Sequence, residues 1–287
     1  MLKIMKKKLN KRKLARKIGL GAIAVLVSGI ILFPIIWMLP AAFKGRREIW
    51  AVPNTWWPKS FTWLNFEKIF TLEHNGYNFV SSLGSTFLVA VIAVVLSLII
   101  NMMAAYVFSN LEFRGKKFLW GYFLVTMFIP GITILLTSIR VVNILQMTDT
   151  IWVLIIPGII SAYNIFFFRQ FFYSIPSSLE EAATIDGSSH FGVFWRIFFP
   201  MSVTPMIIIG ITVFMGYWNS FMWPTLTIVN NENIAQVMQV IRVLNSSYAG
   251  EYGIVVAATL LAISIPLILF AIFQKKIIAG IAISGLK

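Results

Sequence analysis

The sequence predicts an all-α, polytopic membrane protein with six transmembrane helices, and three observations carry that prediction. Fifty-nine per cent of the residues are hydrophobic and only 12% are charged, with a mean hydropathy of +0.84. A soluble chain of 287 residues with this composition has too few polar groups to cover its own surface. Six runs, 18–43, 79–111, 118–139, 150–168, 197–231 and 252–274, contain no Asp, Glu, Lys or Arg. Each is long enough to cross a ~30 Å hydrocarbon layer, which takes roughly 20 helical residues. Finally, nine of the 24 Lys and Arg fall within residues 1–17, directly before the first run. Such a cluster holds a chain end in the cytoplasm and attracts anionic lipid.

Taken in order, residues 1–17 form a basic cytoplasmic tail and 18–43 the first transmembrane helix. Its apolar stretch is too long for a signal peptide, although Ala41 and Ala42 imitate a small-residue cleavage site. Residues 44–78 form an extracytoplasmic loop, part of it at the lipid surface, where Trp50, Trp56, Trp57 and Trp63 favour the headgroup level. Residues 79–273 form the core, which contains a cytoplasmic loop at 170–201, and residues 274–287 are a cytoplasmic tail. The two longest runs, 79–111 and 197–231, overshoot the layer, and their extra residues are expected in loops or at the interface. In this topology 17 Lys and Arg lie inside and seven outside, the bias of a multi-pass protein of the cytoplasmic membrane with both termini cytoplasmic. Within 224–251, Val237, Val240, Ile241 and Leu244 recur at helical spacing, an amphipathic helix.

The loop at 170–201 is too long for a simple connection, which needs roughly 2–8 residues. Pro176 is a helix opener. Ser177 with Glu180, or Ser178 with Glu181, fits a capping box. Acids are favoured near a helix start by its partial positive charge, and Gly187 accepts the left-handed conformation that ends a helix. A short helix over 178–186 follows. Ser188 or Ser189 then caps a second helix with a stripe of Phe191, Phe194, Trp195 and Phe198, and Pro200 and Pro205 mark re-entry into the bundle.

Glu181-Ala182-Ala183, three residues, Gly187, nine residues, Ile197, one residue, a large apolar residue and Pro200: this spacing resembles the E-A-A-x3-G-x9-I-x-L-P loop of permease subunits in binding-protein-dependent ABC importers. Phe199 stands where the family usually has Leu. "IDG" before Ser188, Trp218-Asn219 in the fifth run and the ending "QKKIIAGIAISGLK" are similar to the carbohydrate-uptake branch and its maltose-transporter G-type subunits, so the resemblance covers roughly residues 75–287. It implies a MetI-like permease bundle with a coupling helix that docks in a groove on a separate ATPase subunit. The coupling set it implies is Glu180, Glu181, Ala182, Ala183, Asp186, Gly187, Ile197 and Pro200. In that set Glu181 pairs with a basic group on the ATPase, Ala182 and Ala183 keep the helix thin, Gly187 makes the turn, and Ile197 and Pro200 anchor the loop. The implied partners are a second homologous permease, two copies of the ATPase, an extracytoplasmic solute-binding protein, a sugar substrate and membrane lipid. A nucleic acid is not expected, because the basic residues form a tail and not a stripe on a fold. Peptide, polyamine or phosphate importers share the loop and stay open as alternatives.

Polar groups deep in spans are candidates for a solute path. Asn101, Asn164 and Asn219 qualify, with Tyr217 and Trp218 placed to stack on the apolar C–H face of a sugar ring. The competing reading makes these Asn interhelical glue at ~0.6–2 kcal/mol each and the Trp interface anchors. The chain is read as non-catalytic, with no cofactor of its own: ATP and Mg belong to the partner ATPase. There is no cysteine and no phosphate-binding loop, since Gly187 and Gly192 are followed by Val193 and not Lys. An ion-driven carrier or intramembrane enzyme would need ionisable groups inside the spans, and the six runs lack them.

Overall fold

The computed structural model describes residues 11–71, 73–74, 76–248 and 250–284, without the side chains of residues 11–13, 73–74 and 277–284. The first ten residues of the basic tail, the last three residues and the His74 side chain lie outside the described residues.

The described chain is helical throughout, apart from a two-residue antiparallel ladder pairing Glu73–His74 with Tyr77–Asn78. Helix α1 (Lys11–Ala41) takes in the basic residues from Lys11 onward, so the first span continues without a break from part of the tail. Its apolar stretch is uncovered by the rest of the chain, and only its end packs, through Trp37, Met38, Ala41 and Ala42. The two alanines are small because the fold presses on them: both are fully buried. The freed carbonyls beyond the helix are taken by Asn65, whose Nδ2 donates to Ala42 O (2.7 Å) and Lys44 O (2.9 Å). The following loop carries α2 (Arg46–Ile49) and α3 (Leu64–Thr71). Trp50, Trp57 and Trp63 in that loop stay exposed, while Trp56 folds back against Phe33 of α1.

Helix α4 (Phe79–Asn110) is capped by Asn78, whose side chain accepts from Ser81 N. All but one residue of the 79–111 run is helix, so of the two places expected for its extra residues, loop or interface, a loop does not hold them. Ala90, Ala93, Ser97, Asn101, Met102 and Ala105 line its buried side, and α4 packs most closely against the helices of the fourth and fifth spans.

The next three spans are broken, where uninterrupted helices were expected. Helix α5 (Lys116–Val125) continues as a 3-10 turn to Phe128, then meets α6 (Gly131–Ile144) at 104°; α7 (Ile151–Ile155) and its 3-10 turn to Gly158 meet α8 (Ala162–Phe172) at 47°. The third bend, 79°, separates the segment His190–Met201 from α12 (Val203–Trp218). Proline lacks an N–H and clashes with the preceding turn, and Pro130, Pro157 and Pro200 lie at or just before these bends. Lipid tolerates such breaks only when other groups satisfy the freed backbone. Here Thr133 Oγ1 donates to Pro130 O (2.6 Å), Ser202 Oγ to Phe198 O (2.6 Å), Trp223 Nε1 to Val153 O (2.8 Å) and Tyr217 Oη to Ile155 O (2.8 Å). If each bent pair is one span, the chain crosses six times.

After α12 come α13 (Met222–Thr227) and α14 (Val237–Ser247), the amphipathic helix, with Val237, Val240 and Leu244 buried and Ile241 packed beside them. Helix α15 (Tyr252–Ser284) runs on through most of the stretch expected to be a tail from 274, because Ile277 to Ile283 continue the apolar helical sequence.

The connecting loops sort into two ends, as six crossings require. At one end Arg46 and Lys68 pair with Glu251, and Asp149 clasps the 229–231 turn. Its carboxylate accepts from Val229 N (2.6 Å), Asn230 N (2.9 Å) and Asn230 Nδ2 (3.0 Å). Desolvation alone would raise the Asp149 carboxyl, but these donors outweigh it and hold it below the usual range. A lowered value means the clasp is at full strength above the ordinary carboxylate range and is lost as pH falls through it. At the other end lie the 111–115 turn and the 173–189 hairpin.

Candidate coupling surface and solute cavity

Helix α9 (Ser177–Ile185) is the short helix expected at 178–186. Its start differs in detail. Pro176 occupies the cap position and no side chain caps the helix. Neither capping box forms: the cap position falls on Pro176, so both serines lie inside the helix, and Glu180, the acid of the first box, is engaged elsewhere. Its Oε1 accepts from Tyr106 Oη (3.1 Å) and its Oε2 from Asn110 Nδ2, both on the last turns of α4. The helix ends as its sequence requires. Gly187 sits at φ +80, Ser188 N donates to Ala183 O (2.9 Å) and Gly187 N to Thr184 O (3.0 Å), a Schellman closure.

The two adjacent acids therefore do different things. Glu180 is half-buried against α4, while Glu181 is exposed, as are Ala182, Asp186 and Gly187. Ala183 is half-buried. The outer face also carries Leu179 and Ile185, the latter 86% exposed. Among the described residues nothing covers this face of the short helix, which shows a large aliphatic side chain and a carboxylate.

The second half of the hairpin seats it. Of the two candidate caps Ser189 is used, accepting from Gly192 N (3.2 Å) at the start of α10 (His190–Val193). A π-helical turn over Phe194–Phe198 follows, then α11 (Phe199–Met201). The expected aromatic stripe splits. Phe194 and Phe198 are buried, Trp195 is half-buried, and Phe191 is exposed. Tyr106 packs its ring on Phe194 (5.7 Å between centroids) and Phe198 (5.0 Å), and Phe172 closes on Phe198 (5.2 Å). Ile197 packs against this cluster, and Phe199, in the position of the usual Leu, packs tilted against Trp195 with ring centroids 4.7 Å apart. Pro200 is exposed, so its ring is not packed into the bundle. One more tie closes this end: Arg169 Nε donates to Phe108 O (2.9 Å), with the guanidinium 4.1 Å from the Trp120 ring and 4.7 Å from that of Tyr173.

Between α6, the α7–α8 break, α12 and α13 lies a cavity of about 490 Å³, within the ~300–1,000 Å³ of small-molecule sites. Ser161, Tyr163, Asn164, Tyr217, Ser220 and Gln236 put polar atoms on a mostly apolar wall. Tyr217 crosses directly over Gly158, where a Cβ would come within 2.5 Å of the Tyr217 hydroxyl. The five path candidates separate. Asn164 and Tyr217 line the cavity. Trp218 turns into the core, 2% exposed and stacked on Phe214 at 5.5 Å, so it has no face free for a solute. Asn219 is exposed just past the end of α12 and does not line the cavity. Asn101 is fully buried. Its Nδ2 donates to Ser97 O (2.6 Å), Ser97 Oγ (2.8 Å) and Ile159 O (2.7 Å), and its Oδ1 accepts from Ser161 N (2.9 Å). Asn101 is thus the brace of the α7–α8 break. No group of three His, Cys, Asp or Glu able to hold a metal occurs among the described residues.

Sequence reasoning missed Tyr106 and Asn110. Their signal was present, two polar residues four apart at the end of an apolar helix, hence on one face. It had no meaning until Glu180, 70 and more positions away, was seen against them.

The chain was compared with known proteins. It is 33% identical over 270 residues to the probable ABC transporter permease protein YurM of Bacillus subtilis (strain 168), covering 90% of this chain and 84% of that protein. It is 28% identical over 263 residues to the arabinooligosaccharides transport system permease protein AraQ of Halalkalibacterium halodurans, covering 91% and 93%. In fold it matches a chain of a bacterial ABC transporter involved in the import of the acidic polysaccharide alginate, with a TM-score of 0.80 at 20% identity, over 93% of this chain and 98% of that one. A family model also matches residues 99–280, from the middle of α4 to near the end of α15 and so across both the hairpin and the cavity walls, and the chain belongs to the family it describes, the binding-protein-dependent transport system inner membrane components.

Proposed function

We propose that this chain is one permease subunit of an ATP-driven importer of sugars, oligosaccharides in particular, forming half of the translocation path. The observation that carries the reading is α9, an exposed helix with the E-A-A-x3-G spacing, fastened to α4, which in turn grips the α7–α8 break in the wall of a polar-lined cavity. Two copies of an ATPase subunit grip the α9 helices of this chain and a second, homologous permease. A solute-binding protein delivers the sugar at the opposite end. The α9 end faces the cytoplasm, with both termini on that side. The chain is not an enzyme and holds no cofactor; ATP and Mg act in the partner. Glu181 makes the charge-assisted contact to the ATPase, and Ile185 and Leu179 fill its groove. Tyr217 and Asn164 face the passing solute. The relatives named for arabinooligosaccharides and the alginate importer support a sugar cargo.

The test is ATP-dependent uptake in vesicles that contain this chain with its ATPase, second permease and binding protein. Wild type takes up a labelled oligosaccharide. Gly216 lines the cavity and has no atom within 4 Å of where a Cβ would stand, so Gly216→Leu folds normally and fills the path. Uptake is expected to fall about tenfold, roughly 1.4 kcal/mol of barrier, with the subunits still assembled. Full uptake by the variant removes the cavity from the path. Uptake of a peptide, polyamine or phosphate in place of sugars overturns the cargo.

A further inference from the structure

We propose that Glu180, Tyr106 and Asn110 form a latch that makes the coupling helix and α4 move as one body, and that Glu180 is therefore a positioning residue and not part of the ATPase-docking face. The inference rests on the coupling reading of α9 and goes beyond it by assigning the route along which force enters the bundle.

Three observations support it. First, the half-buried carboxylate of Glu180 points away from the free face of α9 and takes two donors from α4, Tyr106 Oη on one oxygen and Asn110 Nδ2 on the other. Second, Tyr106 holds both halves of the hairpin at once: its hydroxyl binds α9, and its ring packs on Phe194 and Phe198 of the second half. A side chain that touches both arms fixes the angle between them. Third, α4 carries the motion onward. Asn101 stands five residues before Tyr106, about 7.5 Å along the helix, and grips Ile159 O and Ser161 N at the α7–α8 break. Ser161, Gly158 and Asn164 of that break are cavity wall. A pull on α9 thus reaches the cavity through one rigid helix and two sets of hydrogen bonds. Without the latch, α9 stays docked but swings on the Gly187 turn, and ATPase closure is spent on moving the hairpin alone.

The experiment uses the assembled complex and two readouts: ATPase copurified per permease, and solute moved per ATP hydrolysed. Tyr106→Phe removes one hydroxyl and keeps the ring packing, so it tests the bond without unseating the hairpin. Glu180→Leu removes the acceptor, and Glu180→Gln keeps an oxygen for Tyr106. Expected are wild-type copurification for all three and a loss of at least about tenfold in solute per ATP for Tyr106→Phe and Glu180→Leu, the weight of one hydrogen bond to a charged group. Glu180→Gln should fall between these and wild type. The Tyr106→Phe/Glu180→Leu double variant should be no worse than the poorer single. Wild-type solute per ATP in both single variants overturns the latch, and loss of copurification in Glu180→Leu overturns it by making Glu180 a docking residue. Failure of the coupling reading looks different: the ATPase would stay bound when α9 itself is deleted.

Discussion

Deleting residues 177–187 is expected to leave the chain in the membrane and to abolish copurification of its ATPase. The spans supply the membrane anchorage, and α9 lends little to their packing: its described side-chain ties to them are the two bonds to Glu180 and the packing of half-buried Ala183. Docking, by contrast, depends on it. Burying Ile185, now 86% exposed, is worth about 1.5–3 kcal/mol, and a charge-assisted hydrogen bond from Glu181 about as much again. Removing both takes away roughly 3–6 kcal/mol, two to four decades of affinity. Ile185→Asp or Glu181→Lys alone should weaken capture without abolishing it. Full ATPase yield with the deletion, measured by affinity pull-down from detergent extracts, would contradict the docking assignment.

Asn101→Leu gives the second large effect, on stability. The side chain is fully buried and serves four partners. Ser97 O and Oγ lie on its own helix, where local bonds compensate. Ile159 O and Ser161 N lie at a helix break, where the helical ladder offers no replacement. Polar contacts between membrane helices average only ~0.6 kcal/mol, because the unfolded reference finds other partners, whereas a buried backbone group left without a partner costs about 1–3 kcal/mol. At this break the second effect dominates, and a loss of roughly 2–4 kcal/mol is expected for the two groups together. It appears as a lowered midpoint in thermal unfolding in detergent. Asn219→Leu, at an exposed position, should stay within about 0.5 kcal/mol of wild type. Equal midpoints for the two variants would contradict the bracing role of Asn101.

What the sequence reveals and what it hides follow from the range of the interactions involved. Span number and the hairpin are local properties: charge-free runs set the crossings, and Pro176, Gly187 and Ser189 set the ends of two short helices within a few residues. The breaks at 129–130, 159–161 and 202 are not local. Proline and glycine occur in unbroken membrane helices too, and what permits a break is a remote donor, such as Asn101 at 58 positions from Ile159. The same holds for the acid pair. Glu180 and Glu181 fit equivalent capping boxes by spacing, and only α4, 70 and more positions earlier, decides that the first turns inward and the second outward. Trp218 shows the same dependence on packing: its sequence offers an indole for a sugar ring or an interface anchor, and only its angle around α12, pointing at Phe214, settles it in the core. Asn164 and Tyr217, on the side facing the break, line the cavity.

A handle on α9 gripped by an ATPase in the cytoplasm can be caught by crosslinking. The chain contains no cysteine, so Ile185→Cys introduces a single thiol at the tip of that helix, on which a maleimide-linked photo-crosslinker can be placed and irradiated in membranes holding the assembled transporter. The account predicts one dominant adduct, at the summed mass of this chain and the ATPase subunit. An adduct with lipid or with the binding protein, and none with the ATPase, would contradict it.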